Sequence, residues 1–265
     1  MQQSDAIGIA RIHDAFARAR ASGGAVLPFI TAGYPDIATT ERLLRELPAA
    51  GADIIELGFP FSDPIADGPV IAESMHQALL AGMTPDAIFE AVARVRPSVP
   101  VIAMVSVSIV ERMGGARFIE RATDAGFSGF IVPDADPATA AELSRLALAR
   151  GAGFSALVSP STTAERLVEL ARISTGFVYL LARIGVTGER SEAPEIAERT
   201  AATRRATSVP IAAGFGIGTR EHVRAVVQHA DGAIVGSAIV RRMTEAHRRG
   251  ESAAEAALSL VRSLK

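Results

Sequence analysis

The chain of 265 residues contains no cysteine, which excludes a disulfide framework, a thiolate nucleophile and a thiolate metal site. It is almost as poor in lysine, because the only one is Lys265, the last residue, although arginine is abundant. No lysine within a barrel or sheet can therefore form a Schiff base with a carbonyl substrate or with pyridoxal phosphate. Long apolar runs are missing too. No segment approaches ~20 uninterrupted apolar residues, and the stretch Met1 to Ala21 carries Asp5, Arg11, Asp14, Arg18 and Arg20 where a signal peptide would be apolar. A cytoplasmic protein that does not engage a membrane is the expectation. Charge of one sign is not in excess: the net charge is −2 with both signs interspersed, so no basic stripe invites nucleic acid. The five histidines, His13, His76, His222, His229 and His247, sit in helical patterns as surface or helix-flank residues without metal-ligand spacing. No Gly-x-Ser-x-Gly elbow occurs. The run Gly214-x-Gly216-x-Gly218 misplaces the third glycine of a dinucleotide fingerprint. Neither metal nor cofactor is expected.

What is present is apolar and periodic. Hydrophobic residues make up 49% of the chain, ample for a large core. Short aliphatic runs recur at Val26–Thr31, Asp53–Leu57, Val99–Val105, Gly129–Val132, Phe154–Val158, Phe177–Ala182, Val209–Ala213 and Gly232–Val235. Each is too apolar for a half-exposed strand and suits one buried on both faces. Between them, Ile37–Ala50, Pro85–Arg96, Ala116–Ala125, Pro137–Arg150, Ala164–Ile173 and Arg220–Gln228 show helical spacing. Thr84, Asp136 and Thr163 open helices as capping residues, and Gly51, Gly126 and Gly151 close them. Eight such strand–helix units predict a single α/β domain over 1–265, a (β/α)8 barrel with an extra N-terminal helix and a short phosphate-binding helix after strand eight. An open doubly wound sheet is the alternative.

In such barrels the chemistry sits where strands end and βα loops begin. The seventh strand runs into Gly214-Phe215-Gly216-Ile217-Gly218, and the eighth into Gly236-Ser237, which opens the helix Ala238–Ala246. The sixth runs towards Gly185-Val186-Thr187-Gly188. Glycines let backbone N–H groups approach an anion, and a helix N-terminus adds donors and a favourable dipole. Three such loops on one rim predict a phosphate grip, although each glycine alone would make a tight turn equally well.

Glu56 is an ionisable residue on an otherwise apolar strand, costly there unless partnered or used. Among Phe29, Phe61 and Met104 its pKa should rise into a range useful for proton transfer; a structural glutamate bonded to nearby backbone is the alternative. The loop Phe59-Pro60-Phe61-Ser62-Asp63-Pro64-Ile65-Ala66-Asp67-Gly68-Pro69 is long, rich in proline, and sets two aspartates among apolar side chains. It reads as a substrate-binding loop, with helix capping open as another use for Asp63 or Asp67.

Pro28-Phe29-Ile30-Thr31-Ala32-Gly33-Tyr34-Pro35-Asp36 and the whole of Ile55 to Pro69 resemble signatures of the tryptophan synthase alpha subunit family. Arg183 with Gly185-Val186-Thr187-Gly188, Gly214-Phe215-Gly216-Ile217 and Val235-Gly236-Ser237-Ala238-Ile239-Val240 extend the resemblance over essentially the whole chain. It implies retro-aldol cleavage of indole-3-glycerol phosphate to indole and D-glyceraldehyde 3-phosphate. It implies Glu56 as the acid–base and Asp67 as the carboxylate that engages the indole N–H. Phe29, Ile71, Tyr179 and Phe215 match pocket positions. Gly188, Gly216, Gly236 and Ser237 match the phosphate grip, and Thr187 lies on the cover loop. A beta subunit that consumes indole is the implied partner. Several positions depart from the pattern: Ser106 and Ser108 stand where the family commonly has tyrosine and asparagine, Asp134-Ala135-Asp136 stands for Asp-Leu-Pro, and Ile71-Ala72 and Gln77-Ala78-Leu79 stand where it has Ile-Gln and an arginine before Ala-Leu. An unpaired charge at Asp136 or a missing contact at Ser106 and Ser108 should weaken docking of that partner. A stand-alone lyase, a non-catalytic phosphate-binding regulatory subunit and another phosphate-binding barrel enzyme remain alternatives on sequence alone.

Overall fold

The computed structural model describes residues 8–64, 68–181, 192–214 and 216–265, with backbone alone at 192–195. Among these, nine parallel strands alternate with helices: β1 Ala25–Thr31, β2 Ile55–Gly58, β3 Val101–Met104, β4 Gly129–Ile131, β5 Gly153–Phe154, β6 Leu157–Val158, β7 Val178–Leu181, β8 Ile211–Gly214 and β9 Gly232–Val235. Their spatial order is β5-β4-β3-β2-β1-β9-β8-β7-β6. The two ends of that order, β5 and β6, are consecutive in the chain. They are two halves of one strand, and the ring closes through it. On one side the Ser155 amide donates to Phe130 O at 2.9 Å; on the other the Tyr179 amide donates to Ala156 O at 3.0 Å. The arrangement is an eight-place (β/α)8 barrel, as the alternation predicts.

Strand alternation sorts the core into two shells. Leu27, Ile54, Ile102, Ile131, Tyr179, Ala212 and Ile234 point into the barrel, with Ile12 and Phe16 among them. Ile55, Leu57, Val101, Ala103, Leu180 and Ala213 point outward under the helices. Glu56, between Ile55 and Leu57, consequently points inward.

The expected N-terminal helix is Gly8–Arg20, which buries Ile12, Ala15, Phe16 and Ala19. It lies across the N-terminal end of the barrel, where the Arg11 guanidinium donates to Pro97 O at 3.1 Å and Val99 O at 3.2 Å. The helix expected after the last strand follows β9 and runs Ser237–Arg248, twelve residues. Along its length it packs Ile239, Val240, Met243 and Ala246 against the core. The helix that follows the long loop is Pro69–Leu80, and helices at Val107–Met113, Glu192–Ala206 and Ala253–Leu264 add to those predicted. The last returns to the first half of the chain, where Glu255 bonds Arg42 at 3.1 Å and Lys265 bonds Asp53 at 2.6 Å.

Candidate active site

At the C-terminal end of the strands lies a cavity of about 940 Å3, at the upper end of the 300–1,000 Å3 usual for small-molecule sites. Phe29, Ile71, Tyr179, Gly216, Gly236 and Ser237 all line it, so six of the predicted site residues come together. Two aromatic walls depend on neighbouring glycines. A Cβ on Gly58 would fall 2.4 Å from the Phe29 ring, and one on Gly214 would fall 2.7 Å from the Tyr179 hydroxyl. Asp67, Thr187, Gly188 and Phe215, like Arg183 and Gly185, lie outside the described residues.

One rim of the cavity is built from loop and helix N-terminus. Gly216 has φ +73°, a conformation that side-chain-bearing residues rarely adopt, and it turns the chain after β8. Gly218 packs against Ala238, to which a Cβ would approach within 3.1 Å. The helix Ser237–Arg248 starts at Gly236 without a side-chain cap and with no acidic residue in its first turn. Its first amides have no intrahelical acceptor and, with the dipole, favour an anion. Arg241 and Arg242 also line the cavity. So does His222, whose Nδ1 accepts the Gly218 amide at 3.4 Å. Sequence reading treated His222 as a helix-flank residue. Thr219 caps the helix Arg220–Val227, which turns its first residues towards the glycine loop, and that cap was the available signal.

Glu56 is 0% exposed, and neither carboxyl oxygen has a hydrogen-bond partner among the described residues. Burial alone pushes its pKa well above the ordinary glutamate range, because removing a carboxylate from water disfavours the charged form. The alternative of a glutamate tied to backbone is therefore not what the structure contains. Its strand partners are Phe29 on β1 and Ile102 on β3, which puts the carboxyl under the apolar side of the cavity. The loop that follows starts firmly: the Phe59 amide donates to Met104 O at 2.8 Å, and the Phe59 ring packs on Phe89, Phe118 and Phe127. Asp63 is exposed on the cavity wall and accepts the Ser62 hydroxyl at 2.6 Å. It does not cap Pro69–Leu80, where Gly68 holds that position without a side-chain bond.

The departures from the family pattern are of two kinds. Asp136 is not an unpaired charge. It caps Pro137–Ala149 by accepting the Ala138 amide at 2.8 Å, the Thr139 amide at 3.2 Å and the Thr139 hydroxyl at 2.6 Å. These bonds, the Thr139 hydroxyl's first, hold its pKa below the usual carboxylate range. Ser106 and Ser108, in contrast, line the cavity together with Asp134.

Comparison with known proteins agrees with this geometry. The family model described as tryptophan synthase alpha chain matches residues 16–265. A curated tryptophan synthase alpha chain from a Synechococcus species is 44% identical over 238 residues, 88% of each chain. That of Halorhodospira halophila is 40% identical over 242 residues, 89% of each. Among solved structures, tryptophan synthase subunit alpha from Legionella pneumophila superposes with a TM-score of 0.86 at 32% identity, covering 96% of both chains. A mutant alpha-subunit from Pyrococcus furiosus gives 0.83 at 35%, covering 91% of this chain and 98% of that one. With its barrel, its glycine rim and its inward glutamate in place, the chain belongs to the tryptophan synthase alpha chain family.

Proposed function

We propose that the chain, acting as one barrel domain over 1–265, cleaves indole-3-glycerol phosphate to indole and D-glyceraldehyde 3-phosphate. It is a carbon–carbon lyase of the aldolase type. The observation that carries this reading is Glu56, wholly buried and without a hydrogen-bond partner among the described residues, beneath a cavity with anion-binding loops on one rim. The phosphate lies against Gly216, Gly236 and Ser237, with Gly188 completing the grip and Thr187 covering the substrate. The ring lies between Phe29, Ile71, Tyr179 and Phe215.

With no lysine in the barrel to form an imine, the ring itself takes up the electrons of the breaking bond. Glu56, kept protonated by burial, turns towards the ligand and donates its proton to indole C3. Asp67 offsets the positive charge that develops at the ring nitrogen through the N–H. The Glu56 carboxylate then takes the proton of the hydroxyl on the adjacent glycerol carbon. That carbon–oxygen bond becomes the aldehyde carbonyl, the carbon–carbon pair returns to the ring, and Glu56 ends protonated as it began. The indole passes to a beta subunit, the partner that an alpha chain implies.

Steady-state indole release by the purified chain tests this. Glu56→Gln should lower turnover by at least the upper end of the ~10²–10⁴-fold typical of general acid–base groups, because one group serves two transfers, while binding of the substrate persists. A Glu56→Gln enzyme retaining more than about a tenth of the wild-type rate, far outside that range, would overturn the assignment.

A further inference from the structure

The ring order places two features of the cavity opposite one another. Taking β5 and β6 as one place, β8 and β9 occupy the seventh and eighth places, and β3 and β4 the third and fourth. Each pair is four places round from the other, directly across the mouth. Gly216, Gly236 and Ser237 follow β8 and β9; Ser106 and Asp134 follow β3 and β4, and all five line the same cavity. A ligand held by its phosphate at the first rim therefore extends its other end towards the second.

That second rim is polar and ordered. The Ser106 hydroxyl donates to Asp134 Oδ2 at 2.6 Å, the Val107 amide donates to Asp134 Oδ1 at 2.8 Å, and the Ser108 amide donates to Ser106 Oγ at 3.3 Å. Ser106 is buried while Asp134 stays exposed on the wall. A carboxylate offers about four lone-pair directions, and two are used, so Asp134 presents further acceptor capacity towards the cavity. An unsubstituted benzo ring has nothing to donate to it. Serine at 106 also leaves room beside the carboxylate that a larger side chain would fill.

We propose that this wall is a specificity subsite: the chain accepts indole-glycerol phosphates whose benzo ring carries a hydrogen-bond donor such as a hydroxyl, with Asp134 as acceptor and Ser106 as the residue that leaves space for it. The proposal rests on the lyase reading above. The bond broken and the protons moved are those of the parent reaction, and the product is the hydroxylated indole.

The test compares kcat/KM for indole-3-glycerol phosphate and for each of its benzo-ring hydroxylated isomers, in the wild-type chain and in Asp134→Asn and Ser106→Tyr. At least one isomer should match or exceed the parent in wild type. Its advantage should fall about tenfold or more in Asp134→Asn, the scale of a hydrogen bond to a charged acceptor. In Ser106→Tyr, which fills the space without removing the carboxylate, its turnover should fall below the parent's. Wild type that cleaves the parent but every isomer at least tenfold more slowly overturns the subsite and leaves the lyase reading standing. So does an isomer-to-parent ratio that neither variant changes. Wild type that releases no indole from any of these compounds overturns both.

Discussion

At Glu56 function and stability pull in opposite directions. Its carboxyl is fully buried without a partner among the described residues, and an unsatisfied buried polar group costs about 1–3 kcal/mol. Because its pKa is raised in the folded chain by burial, the folded state binds more protons than the unfolded state above the ordinary glutamate range of about 4.3. Stability tied to this group is fully present below that range and is lost as pH rises through the raised folded value. Glu56→Gln removes the ionisation, so the variant should be more stable than wild type at pH 8, with the gap closing near pH 4. Urea unfolding at the two pH values checks this, and an equal gap at both would contradict it. At the phosphate rim, a Cβ at Gly236 would meet Phe29 and Ile71 only at 3.5 and 3.6 Å, an ordinary contact. Gly236→Ala should therefore be tolerated. Gly236→Val adds two methyls on the cavity side and should weaken binding of glycerol 3-phosphate far more than it lowers the melting temperature. Unchanged affinity in a folded Gly236→Val chain would place the phosphate elsewhere.

Among the elements, the helix Gly8–Arg20 closes the end of the barrel away from the site. Ile12 is fully buried, and its Cδ1 sits over Gly129, Gly153 and Gly176. Ile12→Ala should cost about 2–5 kcal/mol of stability with KM unchanged, measured by denaturant unfolding and steady-state kinetics. A large KM effect would show that the two ends of the barrel are coupled. The strands were legible because both faces are buried and each reads as an aliphatic run. Their first residues were not: Val99 and Val209 are apolar yet precede the ladders at Val101 and Ile211. They pack against the outer shell of the core ahead of the strand ladders. The caps Thr84, Asp136 and Thr163 read correctly because the capping bond is local. The fifth strand read as one run, and its division into β5 and β6 follows from a change of hydrogen-bonding side that no local pattern encodes. Val107–Met113 was missed: at seven residues it is too short to display helical periodicity.

For the whole molecule, the sequence pointed to the glycine rim of the cavity but not to the opposing rim, whose placement depends on ring closure. Ser106 and Ser108 were legible only as departures from the family pattern that should weaken docking, whereas both line the cavity. Placed at that rim, two serines offer a partner less surface than the larger residues expected there, so docking of a beta subunit should be weak and its activation of indole release small. Indole formation with and without added beta subunit, alongside a binding titration, measures this; tight binding with strong activation would contradict it. The central claim is that one glutamate, kept protonated by burial, performs both proton transfers. The pH dependence of kcat for indole release tests it most directly. Because the active form of Glu56 is the protonated one, kcat should hold through neutrality and fall as pH rises through the raised pKa. The acid-side limb should be set by Asp67, which must be ionised, and Glu56→Gln should remove the alkaline limb with the activity. A rate that falls with rising pH already in the ordinary glutamate range, or an alkaline limb unchanged in residual Glu56→Gln turnover, would contradict the account.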